Sequence, residues 1–150
     1  MYSTVRQIIA SKGDAIYSVK PTDTLEIALK LMDEKEVGAL LVMEDNNIVG
    51  IFSERDFARK VLVQGLAKPT TKISQMMSPE VLCISPDRSM PDCMNLMTNK
   101  RIRHLPVIEN DKVMGIVSIG DIVNRVIMDQ KTDITVLEDY ITGGYGKRVV

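Results

Sequence analysis

The chain carries one pattern twice. Displacing the sequence by 65 residues lays Ser18–Asp56 on Cys83–Asp121 without a gap. Eleven positions then coincide: Pro21/Pro86, Leu31/Leu96, Met32/Met97, Lys35/Lys100, Leu40/Leu105, Val42/Val107, Glu44/Glu109, Gly50/Gly115, Ile51/Ile116, Ser53/Ser118 and Asp56/Asp121. About a third of the other 28 pairs exchange one apolar side chain for another, as in Val37/Ile102, Ile48/Val113 and Phe52/Val117. Such a repeat constrains the architecture before any single residue is weighed, because both copies must suit the same supersecondary unit. Upstream, Val5, Ile8 and Ile9 have the spacing of Ile73, Met76 and Met77, with three fewer residues following in the second copy.

Each copy reads alike. A short helical turn (Thr4–Ala10; Lys72–Met77) leads into an extended segment (Ala15–Val19; Val81–Ile84). The spacing then predicts a helix with Leu25, Ala28, Leu29 and Met32 on one face, matched by Met90, Cys93, Met94 and Met97. Asp23-x-x-Glu26 and Ser89-x-x-Asp92 are N-terminal cap patterns for these helices. Two strands follow, Ala39–Met43 and Ile48–Phe52 around a polar turn, with Leu105–Ile108 and Val113–Val117 as counterparts. A second helix begins after Ser53 and after Ser118, and Gln64–Thr71, with Gly65 and Pro69, links the copies. The expected fold class is therefore mixed α/β (α+β), each repeat running strand–helix–strand–strand–helix. A unit of roughly 50 residues buries too little apolar surface to stand alone. Two copies packed sheet to sheet would share a core and create two clefts related by a pseudo-twofold axis. The expected boundaries are residues 4–65 and 72–130 for the repeats and 131–150 for a C-terminal helix and tail. In that tail Ile134, Leu137 and Ile141 continue a helical face that Gly143 and Gly144 would end. This helix would dock on a partner subunit or fold back on its own chain.

Composition excludes several function classes. Nineteen basic residues against twenty acidic ones, net charge −1, provide no electrostatic footprint for duplex nucleic acid or an anionic membrane. Two Phe, four Tyr and no Trp disfavour single-stranded RNA as well. The longest apolar runs, such as Ala39–Met43, are too short to span a bilayer, and the N-terminus lacks a secretory pattern. A cytoplasmic location is expected, with Cys83 and Cys93 as buried free thiols. The methionines Met32, Met90, Met94 and Met97 fall on helix faces assigned to the core, where Met fills irregular gaps. One histidine, no phosphate-handling glycine loop and no clustered ligands leave no triad, metal site or catalytic cofactor to assemble. The chain is not expected to be an enzyme.

Two readings of Ser53-Glu-Arg-Asp56 and Ser118-Ile-Gly-Asp121 compete. In the first, each is a capping box: the serine accepts from early helix amides and the aspartate returns to the serine's own N–H. In the second, each grips a ligand. A helix N-terminus after a strand suits a phosphate, and a carboxylate suits the 2′- and 3′-hydroxyls of a ribose. Gly50 and Gly115 would leave room for close backbone approach. Val19 and Ile84, on the first strand of each copy, would wall an apolar slot for an adenine-like ring.

The paired Gly-Ile-x-Ser-x-x-Asp segments, the run Arg101–Asp111 and the repeat order resemble the CBS domain family, named after a domain of cystathionine β-synthase. The resemblance covers about Thr4 to Met128, and small bacterial proteins made only of a CBS pair look most similar. It implies two repeats in one module with two clefts, modules that pair into homodimers, and adenosyl ligands such as AMP, ADP, ATP, NAD or S-adenosylmethionine. Asp56 and Asp121 would then hold ribose hydroxyls, while Ser53 and Ser118 would meet a phosphate or ribose-linked oxygen. Arg103 and His104 stand where family members face the phosphates; the alternative is solvated charge on a loop. The first copy has Gly38 and Ala39 there, and carries Arg55 where the second has Gly120. Arg55 would serve phosphates from the other side or pair with Glu54 or Asp56. The second copy is thus expected to be the better phosphate site. The overall expectation is a non-catalytic adenine-nucleotide sensor acting on a regulated partner protein. The alternative is an interaction and dimerisation adaptor without a physiological ligand.

Overall fold

The structure, a computed structural model, describes residues 3–13, 15–65 and 68–142, with the side chains of 136–142 outside the described set. Its elements run α1 (Val5–Lys12), β1 (Ser18–Val19), α2 (Leu25–Lys35), β2 (Ala39–Glu44), β3 (Asn47–Ser53), α3 (Glu54–Leu62), α4 (Ile73–Met76), α5 (Met90–Lys100), β4 (His104–Glu109), β5 (Lys112–Ser118) and α6 (Ile119–Thr142). The chain is mixed α/β and its two copies fold alike. It forms two compact units, and these do not follow the order of the copies. The first-copy unit comprises residues 15–65 and 68–83, whereas the second-copy unit joins 84–142 to residues 3–13.

In the first-copy unit β1 pairs in parallel with β2, and β2 pairs antiparallel with β3. Asp45 and Asn46, both with positive φ, make the two-residue turn whose twist suits a hairpin. The register slips at Val42/Met43, leaving Val49 without a partner as a bulge beside Gly50. Leu25, Ala28 and Met32 of α2 pack with Leu40, Val42, Phe52, Ile73 and Met76. The helix is capped by Thr24, whose hydroxyl accepts from Ile27 N–H at 3.4 Å, and not by Asp23. Asp23 closes the turn before the helix instead, its Oδ2 accepting from Lys20 N–H at 2.8 Å.

The second-copy unit repeats the design. β4 and β5 form a hairpin around Asn110 and Asp111, again both at positive φ, with the same slip at Val107/Ile108. The expected strand Val81–Ile84 shrinks to one parallel bridge between Ile84 and Val107. Ser89 caps α5 as expected, accepting from Asp92 N–H at 3.2 Å. Met90, Cys93 and Met97 are buried at i, i+3 and i+7, while Met94, on the edge of that stripe, is exposed. Cys83 is exposed too, contrary to the expectation of two buried thiols, because its segment makes no regular strand. α6 runs unbroken to Thr142 and so absorbs the expected C-terminal helix; Gly143 and Gly144 lie outside the described residues.

The helix preceding each copy docks on the other copy. Val5 and Arg6 of α1 donate their N–H groups to the carbonyls of Arg88 and Pro86, at 3.0 and 2.8 Å. Ile73 and Ser74 of α4 do the same to Asp23 and Pro21, at 2.9 and 3.0 Å. The accepting residues are equivalent under the 65-residue displacement. These contacts satisfy early amides that have no partner inside a helix. They seat Val5, Ile8 and Ile9 against Ile84, Met90, Leu105, Val117 and Ile122 in the second-copy core.

Candidate functional site

Each hairpin delivers its last strand into a helix, so a serine and an aspartate meet at the helix mouth. In the second-copy unit Ser118 N–H donates to Asp121 Oδ2 at 2.8 Å, and Asp121 N–H donates to Ser118 Oγ at 3.2 Å. In the first-copy unit Ser53 N–H donates to Asp56 Oδ2 at 3.2 Å, and Asp56 N–H returns to Ser53 Oγ at 3.2 Å. Both pairs are therefore complete capping boxes. All four side chains remain partly accessible. The capping geometry leaves carboxylate lone pairs for further donors, so it does not by itself decide between the two readings.

The second-copy pair has basic neighbours on the adjoining strand. His104 opens β4 directly opposite Ser118, and Ile119 N–H donates to the Arg103 carbonyl at 2.9 Å. Arg103, His104, Ser118 and Asp121 thus gather around the start of α6, with the Arg103 side chain exposed and that of His104 half-buried. The first-copy unit builds the same backbone frame, Ala39 opposite Ser53 and Glu54 N–H on the Gly38 carbonyl at 3.1 Å. It lacks the basic side chains there and carries Arg55 in the first turn of α3 instead. Ile84 and Val19 do not line an open surface. Their side chains are buried, 7% and 5% exposed, in the cores of their units.

Two contacts escape the repeat alignment. Lys12, the last residue of α1, donates from Nζ to Asp121 Oδ2 at 2.7 Å and to the Ile116 carbonyl at 2.9 Å. In the other unit Ser78, just after α4, donates from Oγ to Asp56 Oδ1 at 3.3 Å. Burial pushes the Asp121 carboxyl up, but the hydrogen bonds from Lys12 and Ser118 together with the Lys12 charge outweigh it, and the group is held below its ordinary range. No sequence signal pointed to Lys12, because displacing α1 onto α4 by 68 residues matches it to Glu80 and not to Ser78.

The glycines of the motif are explained by these same helices. A Cβ on Gly50 would lie 2.5 Å from Met77 Sδ and 3.1 Å from the Ser78 carbonyl, and one on Gly115 would lie 3.0 Å from Ile9 Cδ1. The room they provide is taken up by the chain itself. Among the described residues no group of His, Cys, Asp and Glu could hold a metal ion, and no helix is long and apolar enough to cross a membrane.

Two capped serine–aspartate pairs on a duplicated hairpin-and-helix frame define a tandem-repeat module. The chain belongs to the CBS domain family, whose model matches residues 5–63 and 73–127. It is 36% identical over 152 residues to the mitochondrial CBS domain-containing protein CBSX3 of Arabidopsis thaliana, covering 95% of this chain and 74% of that one. Among solved structures, a protein with CBS domains from Burkholderia ambifaria is 44% identical with a TM-score of 0.81, covering 85% of this chain and 96% of that one. CBSX2, solved in complex with AMP, is 26% identical with a TM-score of 0.68 over 85% of this chain and 98% of that one.

Proposed function

We propose that the protein is a non-catalytic regulatory module that senses an adenine nucleotide at the helix N-termini of its two units. One arrangement carries this reading: Ser118 and Asp121 at the mouth of α6, with Arg103 and His104 on the adjoining strand end. Asp121 would accept from ribose hydroxyls, and Ser118 with the basic residues would meet the phosphate. Ser53, Asp56 and Arg55 would form the equivalent site in the first-copy unit. The AMP complex of a relative with the same fold supports the ligand class. ATP, ADP, NAD and S-adenosylmethionine share the adenosyl group and compete as the physiological ligand. Exposed Val123, Ile127 and Met128 on α6, and Leu62 beside Val63 at the end of α3, support pairing of modules into a homodimer. Regulation of a partner protein follows if ligand and partner favour the same conformation.

The completeness of both capping boxes favours a second reading, an adaptor that needs no ligand. Calorimetric titration with AMP, ATP, NAD and S-adenosylmethionine separates the two. The sensor requires saturable binding of one ligand, lost in a folded Asp121→Ala variant. The adaptor predicts no heat with any of the four on ligand-free protein, and a variant that loses only ~1 kcal/mol of helix-start stability.

A further inference from the structure

The two units satisfy one pair of acceptors in chemically different ways. Ile51 and Ile116 are equivalent positions, as are Asp56 and Asp121. In the first-copy unit both acceptors are served by Ser78: its N–H donates to the Ile51 carbonyl at 2.8 Å and its hydroxyl to Asp56 at 3.3 Å. In the second-copy unit a single ammonium serves both, Lys12 Nζ lying 2.9 Å from the Ile116 carbonyl and 2.7 Å from Asp121. The substitution arises because α1 spans eight residues and α4 only four. The longer helix carries Lys12 as its last residue, and Gly13 at φ 94° ends it there, its N–H on the Ile9 carbonyl at 3.1 Å.

Hydrogen bonding is thus conserved between the units while charge is not. A carboxylate placed to hold ribose hydroxyls also repels a phosphate attached to that ribose. Ser78 brings no charge to Asp56, whereas Lys12 brings a cation to Asp121. An ammonium has three N–H donors. Two of those on Lys12 are committed, and its side chain is 43% exposed, so the third can reach a ligand from solvent.

We infer that Lys12 is a specificity-determining residue of the Ser118–Asp121 site, selecting adenosyl ligands that carry a phosphate over the corresponding nucleoside. The inference rests on the nucleotide reading of that site, and the experiment separates the two. AMP and adenosine are titrated into the wild-type protein, Lys12→Met and Lys12→Arg. The backbone amide resonances of Ser118 and Gly120 report the second-copy site, and those of Ser53 and Arg55 the first. Lys12→Met should weaken AMP by about tenfold or more at the Ser118 site, as loss of a charged hydrogen-bond donor does. Adenosine should change by less than about threefold, within the range of exposed pair contributions. Lys12→Arg, which keeps the charge, should retain most of the AMP affinity, and AMP at the Ser53 site should be unaffected by either change. Tighter AMP binding by Lys12→Met would mean that the lysine blocks the carboxylate, and overturns the inference. Equal weakening of AMP and adenosine, or no change in either, also overturns it while the nucleotide reading stands. If neither AMP nor adenosine, nor ATP, NAD or S-adenosylmethionine titrated in the same way, moves the Ser118 and Gly120 resonances of the wild-type protein, the nucleotide reading itself falls, and the role of Lys12 with it.

Discussion

Asp121 shows how much of this protein's chemistry is settled by single contacts. Its capping role is shared with Asp56, but its carboxylate also meets Lys12 at 2.7 Å, where Asp56 meets the hydroxyl of Ser78 besides its own cap. Burial alone would raise its pKa, and the Lys12 and Ser118 hydrogen bonds bring it below the ordinary value. A carboxyl depressed on folding contributes stability that is fully present above its unfolded pKa, about 3.9, and is lost as pH falls through the folded value. Urea midpoints of the wild-type protein should therefore fall between about pH 5 and pH 3. Asp121→Asn, already weaker at neutral pH, should fall less across that interval. Parallel acid limbs for the two proteins would show that the Lys12 pair contributes nothing to stability.

At the scale of elements, each hairpin owes its position to the helix from the other copy. Gly50 sits beside the bulge of β3 because Met77 and Ser78 pass directly over it. The Ser78 backbone cannot yield readily, since its carbonyl accepts from Ile51 N–H at 3.0 Å and its N–H donates back at 2.8 Å. Gly50→Ala should therefore cost ~1–3 kcal/mol through overpacking. It should also disturb the Ser78 contact to Asp56, which an amide spectrum of Ser53 and Asp56 would reveal. A stability within ~0.5 kcal/mol of the wild type would mean that the Met77 side chain swings clear and the backbone is not the constraint.

For the whole molecule, the consequence of the exchanged helices is that the N-terminus belongs to the far end of the chain. Ile8 is 3% exposed within the core that contains Ile84, Leu105 and Ile122. Ile8→Ala should destabilise the protein by ~2–4 kcal/mol, as large-to-small core changes do. The effect should be selective. Hydrogen exchange should accelerate in β4 and β5 before β2 and β3, although β2 and β3 lie nearer in sequence. Faster exchange in β2 and β3 first would mean that α1 supports its own copy in solution.

The repeat, the hairpins, the core stripes of α2 and α5 and the serine–aspartate motif were all legible in the sequence, because each is set by local periodicity or by short-range hydrogen bonding. The 65-residue displacement alone identified the equivalent strands, and Ser118 and Asp121 are only three residues apart. Single-residue detail failed where adjacent residues are both good capping types, as with Thr24 taking the cap from Asp23. What tertiary structure decided is which copy each preceding helix serves, and with it the charge at each aspartate. Lys12 is 109 residues from Asp121 and Ser78 is 22 from Asp56. Neither pairing leaves a periodic trace, since a contact between distant segments depends on how whole elements dock and not on spacing along the chain.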